Sequence, residues 1–435
     1  MRGTFTLSLI EENPLYSHYV LTNIAFTAGW AGNEYRVDGQ GEYELGGEVA
    51  LRQTLVLSVQ VSNSVAKSSC YLTNTVATPE RPWPMVVVDA DQTNKTVIQF
   101  YRMQLVSAPL QEIWFSMPNG LHSGNWQPPT NFVGGGDLVS STGRVVKRNT
   151  DLTARLGIMP AVPDLGLDAV DLLPGGEVAF SIEEDVFSET LGPLHHGDVL
   201  SNGGRSVARY SDLITSFSPE PPAPDVGLDA VQLQESGTVL FSIETNVFSE
   251  KLGVTLQRGD VLSNSGQIVR RNADLLARFH PADPRQDYGL DALYVWPSGE
   301  VWFSTETGFQ DALLGGVMGG DLLTDLGAVV YRNLELTSAF APLEDLFDFG
   351  LDALYVVTDA SPPAPAPRIV SVTRDPATGG VVVQCDGKGR AFQLERAADL
   401  RGPWLPASPI VPELRFEDFA DPPDVSAAFY RVRQW

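Results

Sequence analysis

Apolar and polar positions alternate through the first hundred residues. Leu55, Leu57, Val59 and Val61 are separated by mostly polar neighbours, the period of a half-buried strand. Met85–Asp89 and Lys95–Tyr101 read as two further strands. The opening MRGTFTLSLIEENPL has an apolar run broken by polar residues and followed at once by acids, so it reads as a strand rather than a signal peptide. No helical period stands out. Residues 1–102 are therefore expected to form an N-terminal β-sandwich-like domain.

From there to residue 357 the pattern repeats. The tetrapeptide Gly-Leu-Asp-Ala begins at Gly166, Gly227, Gly289 and Gly350, in steps of 61, 62 and 61 residues. So regular a period means one supersecondary unit copied in tandem. In the copy that opens at Gly289, Leu290–Trp296 reads as a first strand, Pro297-Ser298-Gly299 as a turn, and Glu300–Thr305 as a second strand. Val301 and Phe303 point one way and Trp302 the other, so both faces are apolar, as in a strand packed between two layers. A longer loop leads to a hairpin built on Gly-Asp-Leu-Leu and Ala-Val-Val-Tyr-Arg. Asn333–Phe340 then returns the chain and reads as a helical turn capped by Asn333.

The hairpin is the best-specified piece. Its aspartates are Asp137, Asp198, Asp260 and Asp321, and its arginines Arg148, Arg209, Arg271 and Arg332, again in steps of 61, 62 and 61. The midpoint of each pair falls on a dipeptide ending in glycine, the residue that supplies the positive φ of a tight turn. Each Asp is expected opposite its Arg on one face, a structural cross-strand pair contributing roughly 0.2–1 kcal/mol.

The Phe-Ser of the second strand occurs at Phe115, Phe180, Phe241 and Phe303, so one copy precedes the first Gly-Leu-Asp-Ala. Its first strand would be Met103–Ala108, and the final Gly350–Val357 is a first strand with no second after it. That leftover strand would complete the first sheet and close a ring. Four-stranded sheets repeated radially are β-propeller blades. The expected fold is all-β, with a four-bladed propeller of about 61 residues per blade over 103–357. An open stack or a five-blade ring are the alternatives.

The order Asp-Ala, Gly-x-x-Trp-Phe, Gly-Asp, Arg resembles hemopexin-type four-bladed propellers, although the copies are longer and the usual closing disulfide is missing. The copies also resemble the LDAL…GEVWFS repeats of uncharacterised secreted bacterial proteins, which carry no known activity. Thr358–Pro367 is a Pro/Ala linker, stiff and extended. Residues 368–435 alternate as strands over Arg368–Thr373, Val381–Cys385, Ala391–Glu395 and Phe429–Val432. Phe392–Leu400, Trp404 and Phe429–Val432 resemble fibronectin-III-like modules of secreted bacterial proteins, which implies a spacer or an adaptor for surfaces or carbohydrate.

Charge narrows the partners. The net charge is −25, and residues 103–367 hold 35 acids against 13 bases. Such a surface repels nucleic acid and anionic membrane and suits calcium or neutral ligands. No run approaches the ~18 apolar residues of a membrane helix, so no membrane insertion is expected. Cys70 and Cys385 lie in different domains and make neither a disulfide framework nor a metal site.

The sharpest functional candidates are Asp168, Asp229, Asp291 and Asp352 of the Gly-Leu-Asp-Ala steps. In a closed ring they line the central channel, where carboxylates and carbonyls suit Ca²⁺ with its six to eight oxygens. The resemblance to hemopexin-type propellers implies ions at this Asp-Ala step. The alternative is that each Asp caps its own turn. The loops after the second strand are acidic at Glu183-Glu184-Asp185 and Glu189, at Glu244 and Glu250, and at Glu306 and Asp311; they read as solvated rim. His195-His196 has no counterpart in the other copies. Adjacent residues on a strand face opposite ways, so the pair reads as loop decoration rather than a shared metal site. Trp114 and Trp302 read as core, and Trp296, beside a turn, as the one open to sugar stacking. No nucleophile elbow, zincin helix or phosphate loop is present. The functional expectation is a non-enzymatic extracellular or cell-surface protein for adhesion, ligand binding or scaffolding. Its ligand would be carbohydrate or protein, with no cofactor required and a Ca²⁺ of structural use. A propeller-type glycoside hydrolase or lyase on neutral polysaccharide is the rival, and would place a carboxylate pair in one copy alone.

Overall fold

The computed structural model describes residues 2–30, 33–47, 51–79, 85–99, 102–222, 225–360, 364–374, 380–418 and 428–435. The fold is all-β, with every strand pairing antiparallel and the α-helices among the described residues reduced to single turns. The chain forms two compact units, Met1–Pro109 and Leu110–Trp435.

In the first unit Arg2–Glu12, Tyr16–Trp30, Asn33–Gly46, Arg52–Ser62, Lys67–Thr73, Val86–Gln92 and Arg102–Ser107 pair in chain order within one sheet. Leu55, Leu57, Val59 and Val61 are all buried, as their alternation requires. One apolar cluster draws on six of these strands, which belong to a single sheet where two facing sheets had been expected. Two strand assignments change. Residues 95–99 are irregular, and 100 and 101 lie outside the described residues. Arg102–Ser107 pairs with Val86–Gln92, so Met103–Ala108 is not the first strand of a repeat.

The second unit contains four sheets of identical strand order. One comprises Val170–Leu172, Val178–Phe180, Val199–Ser201 and Arg205–Ala208. Equivalent sheets begin at Val231–Leu233 and Leu293–Val295. The remaining sheet takes Glu112–Phe115, Leu138–Ser140 and Arg144–Lys147 from one end of the repeats and Leu354–Val357 from the other. Leu354 pairs with Phe115 and Val357 with Glu112. The second strands are buried on both faces in every sheet, and apolar clusters fill the spaces between sheets.

The first strands neighbour one another in a closed cycle, from Val170–Leu172 to Val231–Leu233, to Leu293–Val295, to Leu354–Val357 and back. A hydrogen bond marks each step. Ser116 Oγ donates to the Leu167 carbonyl at 2.6 Å, Ser181 to Leu228 at 3.3 Å, Ser242 to Leu290 at 3.1 Å, and Ser304 to Leu351 at 2.9 Å. The serine of each Phe-Ser pair thus ties its sheet to the Gly-Leu-Asp-Ala step of the next.

The hairpins carry the Asp–Arg pairs by a route the sequence did not show. Each connection has three residues rather than two, its glycine at φ of 78° to 85°. Each hairpin also has a register shift after its second pair, Val139↔Val145 giving way to Leu138↔Lys147. Three-residue loops ending in a left-handed glycine are a standard hairpin connection. The shift brings Arg148 opposite Asp137, which a regular ladder would have missed by one residue.

Among the described residues the C-terminal region has two three-stranded sheets. Arg368–Arg374, Val381–Asp386 and Arg415–Asp418 form one; Leu405–Pro406, Phe392–Ala397 and Phe429–Gln434 form the other. Val383, Cys385, Phe392, Leu394 and Phe416 lie in the core between them. This region is not a detached spacer. Ala391, Ile410 and Trp435 share a cluster with Trp114, Leu172 and Tyr355 of the repeats. Gln434 holds the carbonyls of Ala364 and Pro365, and linker residues 361–363 lie outside the described residues.

Candidate functional site: an acidic ring at one end of the four sheets

The Gly-Leu-Asp-Ala glycines all have φ between 70° and 80°, and a Cβ on three of them would strike Glu183, Glu244 or Glu306. Glycine therefore lets a glutamate from the loop after each second strand lie over the turn that opens each first strand. The fourth glycine, Gly350, meets Pro118 instead. The result is a ring of four aspartates, Asp168, Asp229, Asp291 and Asp352, overlaid by three glutamates.

Each ring aspartate is half-buried. Burial, then the charge of Glu183, Glu244 and Asp291, pushes the Asp168 carboxyl up to about 8. Burial and Glu306 push Asp291 up to about 7, against the pull of Arg258. Asp229 and Asp352 are raised well above the carboxylate range by burial and by the other ring aspartates. Oδ2 of Asp168, Oδ2 of Asp229 and Oε1 of Glu306 are buried with no hydrogen-bond partner among the described residues. Uncompensated carboxylates in a confined site repel one another and are left short of donors, the condition that a bound cation relieves. Oxygens of Asp168, Glu183 and Asp352 all lie within 4.8 Å of one another. Oxygens about 2.4 Å from one Ca²⁺ lie at most about 4.8 Å apart, so the triplet is compact enough to be a candidate cation site. Asp229 and Asp291 continue the ring on its other side and are not part of this triplet.

The rim acids divide. Glu183, Glu244 and Glu306 belong to the ring, and burial, aided by neighbouring acids, raises all three. Asp311 is instead a structural acceptor for the backbone N–H groups of His280, Leu313 and Leu314. Cations break the symmetry. Arg258 forms an ion pair with Glu306, and His196 takes the same position one copy earlier.

His195 and His196 do not face opposite ways. The strand ends at Leu194, and the turn that follows aims both rings at the same carboxylates. His195 Nδ1 is 3.1 Å from Asp185 Oδ2, and His196 Nδ1 is 2.9 Å from Asp185 Oδ1. Both are 3.5 Å from Asp225 Oδ2. Burial opposes charge on His196, but the Asp185 hydrogen bond with the charges of Asp225 and Glu244 outweighs it and raises its pKa. Strand alternation hid this cluster, because it applies only inside a strand.

The Asp–Arg pairs stand apart from the ring. Asp137–Arg148, Asp198–Arg209, Asp260–Arg271 and Asp321–Arg332 lie at 2.6, 2.7, 2.9 and 2.5 Å. The other oxygen of each aspartate accepts the first N–H of the helical turn, from Asn149, Tyr210, Asn272 and Asn333. The acceptor at each helix start is thus the distant aspartate, and Asn333 is the first helical residue rather than its cap. Its side chain donates to the carbonyls of Gly320 and Gly350, holding the turn that carries Asp352.

The far end of the first strands is closed. Asp171, Gln232, Tyr294 and Tyr355 occupy equivalent places, and Arg390 of the C-terminal region reaches in among them. Its guanidinium is 3.1 Å from Asp171 Oδ1 and 3.0 Å from the Leu233 carbonyl. Trp296 is 2% exposed against Tyr294 and Trp302, so no sugar can stack on it. Among the described residues no helix is long and apolar enough to cross a membrane.

No family model and no curated protein matches the chain. Two solved structures align weakly. The extracellular domain of the putative hybrid two-component system BT3049 from B. thetaiotaomicron is 9% identical, with 95% of this chain and 76% of that one covered at a TM-score of 0.21. PorZ, an essential surface component of the type-IX secretion system of Porphyromonas gingivalis, is 9% identical, with 98% and 86% covered at 0.20. At these scores the alignments carry no argument for fold or function.

Proposed function

We propose that this chain is a non-enzymatic extracellular binding or scaffold protein. On this reading residues 110–357 form a closed four-bladed β-propeller, residues 1–109 an N-terminal β-domain, and residues 368–435 a fibronectin-III-like module. A Ca²⁺ ion at the acidic end of the ring fastens the first strands together. The single observation that carries this reading is the convergence of Asp168, Glu183 and Asp352 from the two ends of the repeats. An all-oxygen donor set selects Ca²⁺ over softer metals. The Ser–Leu bonds and the shared first sheet support the closed ring. The ring aspartates recur at all four Gly-Leu-Asp-Ala steps, which favours holding an ion over directional acid–base chemistry. The variable rim loops are then the ligand-facing surface for carbohydrate or protein.

One observation favours the enzyme reading. A carboxyl held near 8 at Asp168 beside Glu183 has the protonation of a general acid. Both readings are tested on one panel of immobilised neutral polysaccharides, with Ca²⁺ or with EDTA. Calcium-dependent retention without new reducing ends supports a binding module. Release of reducing ends supports a glycosidase or lyase and overturns the proposal. Neither retention nor release removes the carbohydrate ligand and leaves a protein-binding scaffold.

A further inference from the structure

We infer that Asp185, His195, His196 and Asp225 form a second metal site, for a transition-metal ion such as Zn²⁺, distinct from the calcium ring. Four ligands about 2.05 Å from a tetrahedral zinc lie about 3.3 Å apart. One donor atom each from Asp185, His195 and Asp225 lie within 4.8 Å of one another, and the nitrogen-to-oxygen separations of 3.1 and 3.5 Å for His195 are close to that edge. His196 Nδ1 joins this group at 2.9 Å from the other Asp185 oxygen and 3.5 Å from Asp225 Oδ2. The site is open to solvent, since both histidines and Asp185 are partly exposed, so an ion can enter.

One carboxylate oxygen of the cluster is unsatisfied. Asp225 Oδ1 accepts the Gly227 N–H at 3.2 Å, a structural bond that Asp287 and Asp348 repeat to Gly289 and Gly350. Its Oδ2 is buried, has no hydrogen-bond partner among the described residues, and faces both histidine nitrogens. Gly197 makes this approach feasible, since a Cβ there would lie 2.5 Å from Asp225 Oδ1.

The candidate ligands Asp185, His195 and His196 also occur together in one copy alone. Asp185 Oδ1 accepts the His196 N–H at 3.0 Å. In the next copy neutral Asn246 does the same for Arg258 at 2.9 Å, so the turn needs an acceptor but no charge. Where the histidines are replaced by Gly134-Gly135, Gln257-Arg258 or Met318-Gly319, the Asp185 position holds Gly120, Asn246 or Gly308. The extra carboxylate and the two imidazoles therefore appear together. His195 stacks edge-on against Tyr210 at 5.3 Å, which fixes its ring. Because Asp225 comes from the following copy, the ion would clip two neighbouring sheets at the rim. Imidazole with carboxylate is a donor set for Zn²⁺, Cu²⁺ or Ni²⁺ rather than Ca²⁺.

The test titrates Co²⁺, a visible reporter of such sites, into the full chain in excess Ca²⁺, with Zn²⁺ as competitor. One equivalent should bind, develop visible absorption and be displaced by Zn²⁺. His195→Ala, His196→Ala and Asp225→Asn should each weaken binding at least tenfold, while Glu44→Gln, at an exposed acid of the first unit, leaves it unchanged. Asp185→Asn serves as a further variant that keeps the turn acceptor. Absence of Co²⁺ binding, or binding indifferent to both histidines, overturns the inference. Neither result depends on whether the ring holds Ca²⁺.

Discussion

Ser304 Oγ donates to the Leu351 carbonyl at 2.9 Å, the last of four equivalent bonds that run from sheet to sheet and return to the start. Through it the final Gly-Leu-Asp-Ala is held by the sheet before it, and Leu354–Val357 completes the sheet that Glu112–Phe115 began. Both partners are buried. Ser304→Ala leaves that carbonyl without its donor and should destabilise the unit by about 1–3 kcal/mol. Denaturant unfolding measures the loss, and hydrogen exchange should quicken first in Leu354–Val357. An unchanged midpoint and unchanged exchange would show that the bond does not hold the ring.

The Asp–Arg pairs should be unequal in their two halves. Asp321 is 1% exposed and serves Arg332, the Met318 N–H and the Asn333 N–H together. Asp321→Ala strands all three donors and should lower stability by about 2–4 kcal/mol. Arg332 is partly exposed, and Arg332→Ala should lower stability by about 1 kcal/mol. Urea titrations of the two variants check the order. Equal effects would reduce the aspartate to a simple ion-pair partner.

Arg390 enters the unit beside Asp171, which is 3% exposed. Arg390→Met leaves a buried carboxylate uncompensated and should lower stability by about 3–5 kcal/mol. Adding Asp171→Leu should recover much of that, because the stranded charge is gone. A double-mutant cycle in denaturant reads this directly, and additive losses would contradict it.

The ring aspartates give the metal-free protein a pH dependence of definite sign. Their folded pKa values, about 8 for Asp168 and about 7 for Asp291, lie above the ordinary 3.8. The folded state then binds more protons than the unfolded state between those limits, so stability falls as pH rises from about 4 to about 8. In EDTA the melting temperature should decline across that window. Saturating Ca²⁺ should flatten the curve, and a curve rising with pH in EDTA would contradict the ring's burial.

Much of this was legible because repetition averages out local ambiguity. The hairpin aspartates, arginines and glycines stand at fixed steps, and period-2 alternation located Arg52–Ser62. Met103–Ala108 misled because an apolar strand of that length fits either neighbouring sheet, and pairing with Val86–Gln92 decided it. The serines of Phe-Ser were visible as a motif, but their partners lie 47 to 51 residues on, beyond any local pattern. The histidine cluster was hidden for a related reason. Asp225 is 30 residues from His195, and only the packing of consecutive sheets brings them together.

The most direct test is calorimetric titration of Ca²⁺ into the EDTA-treated, dialysed full chain and its Asp168→Asn/Asp352→Asn variant. The account predicts saturable binding by the parent chain, a rise in its melting temperature with Ca²⁺, and loss of both in the variant, whose fold is checked by circular dichroism. No binding by the parent, or equal binding by a folded variant, would contradict the claim that the acidic ring is a cation site.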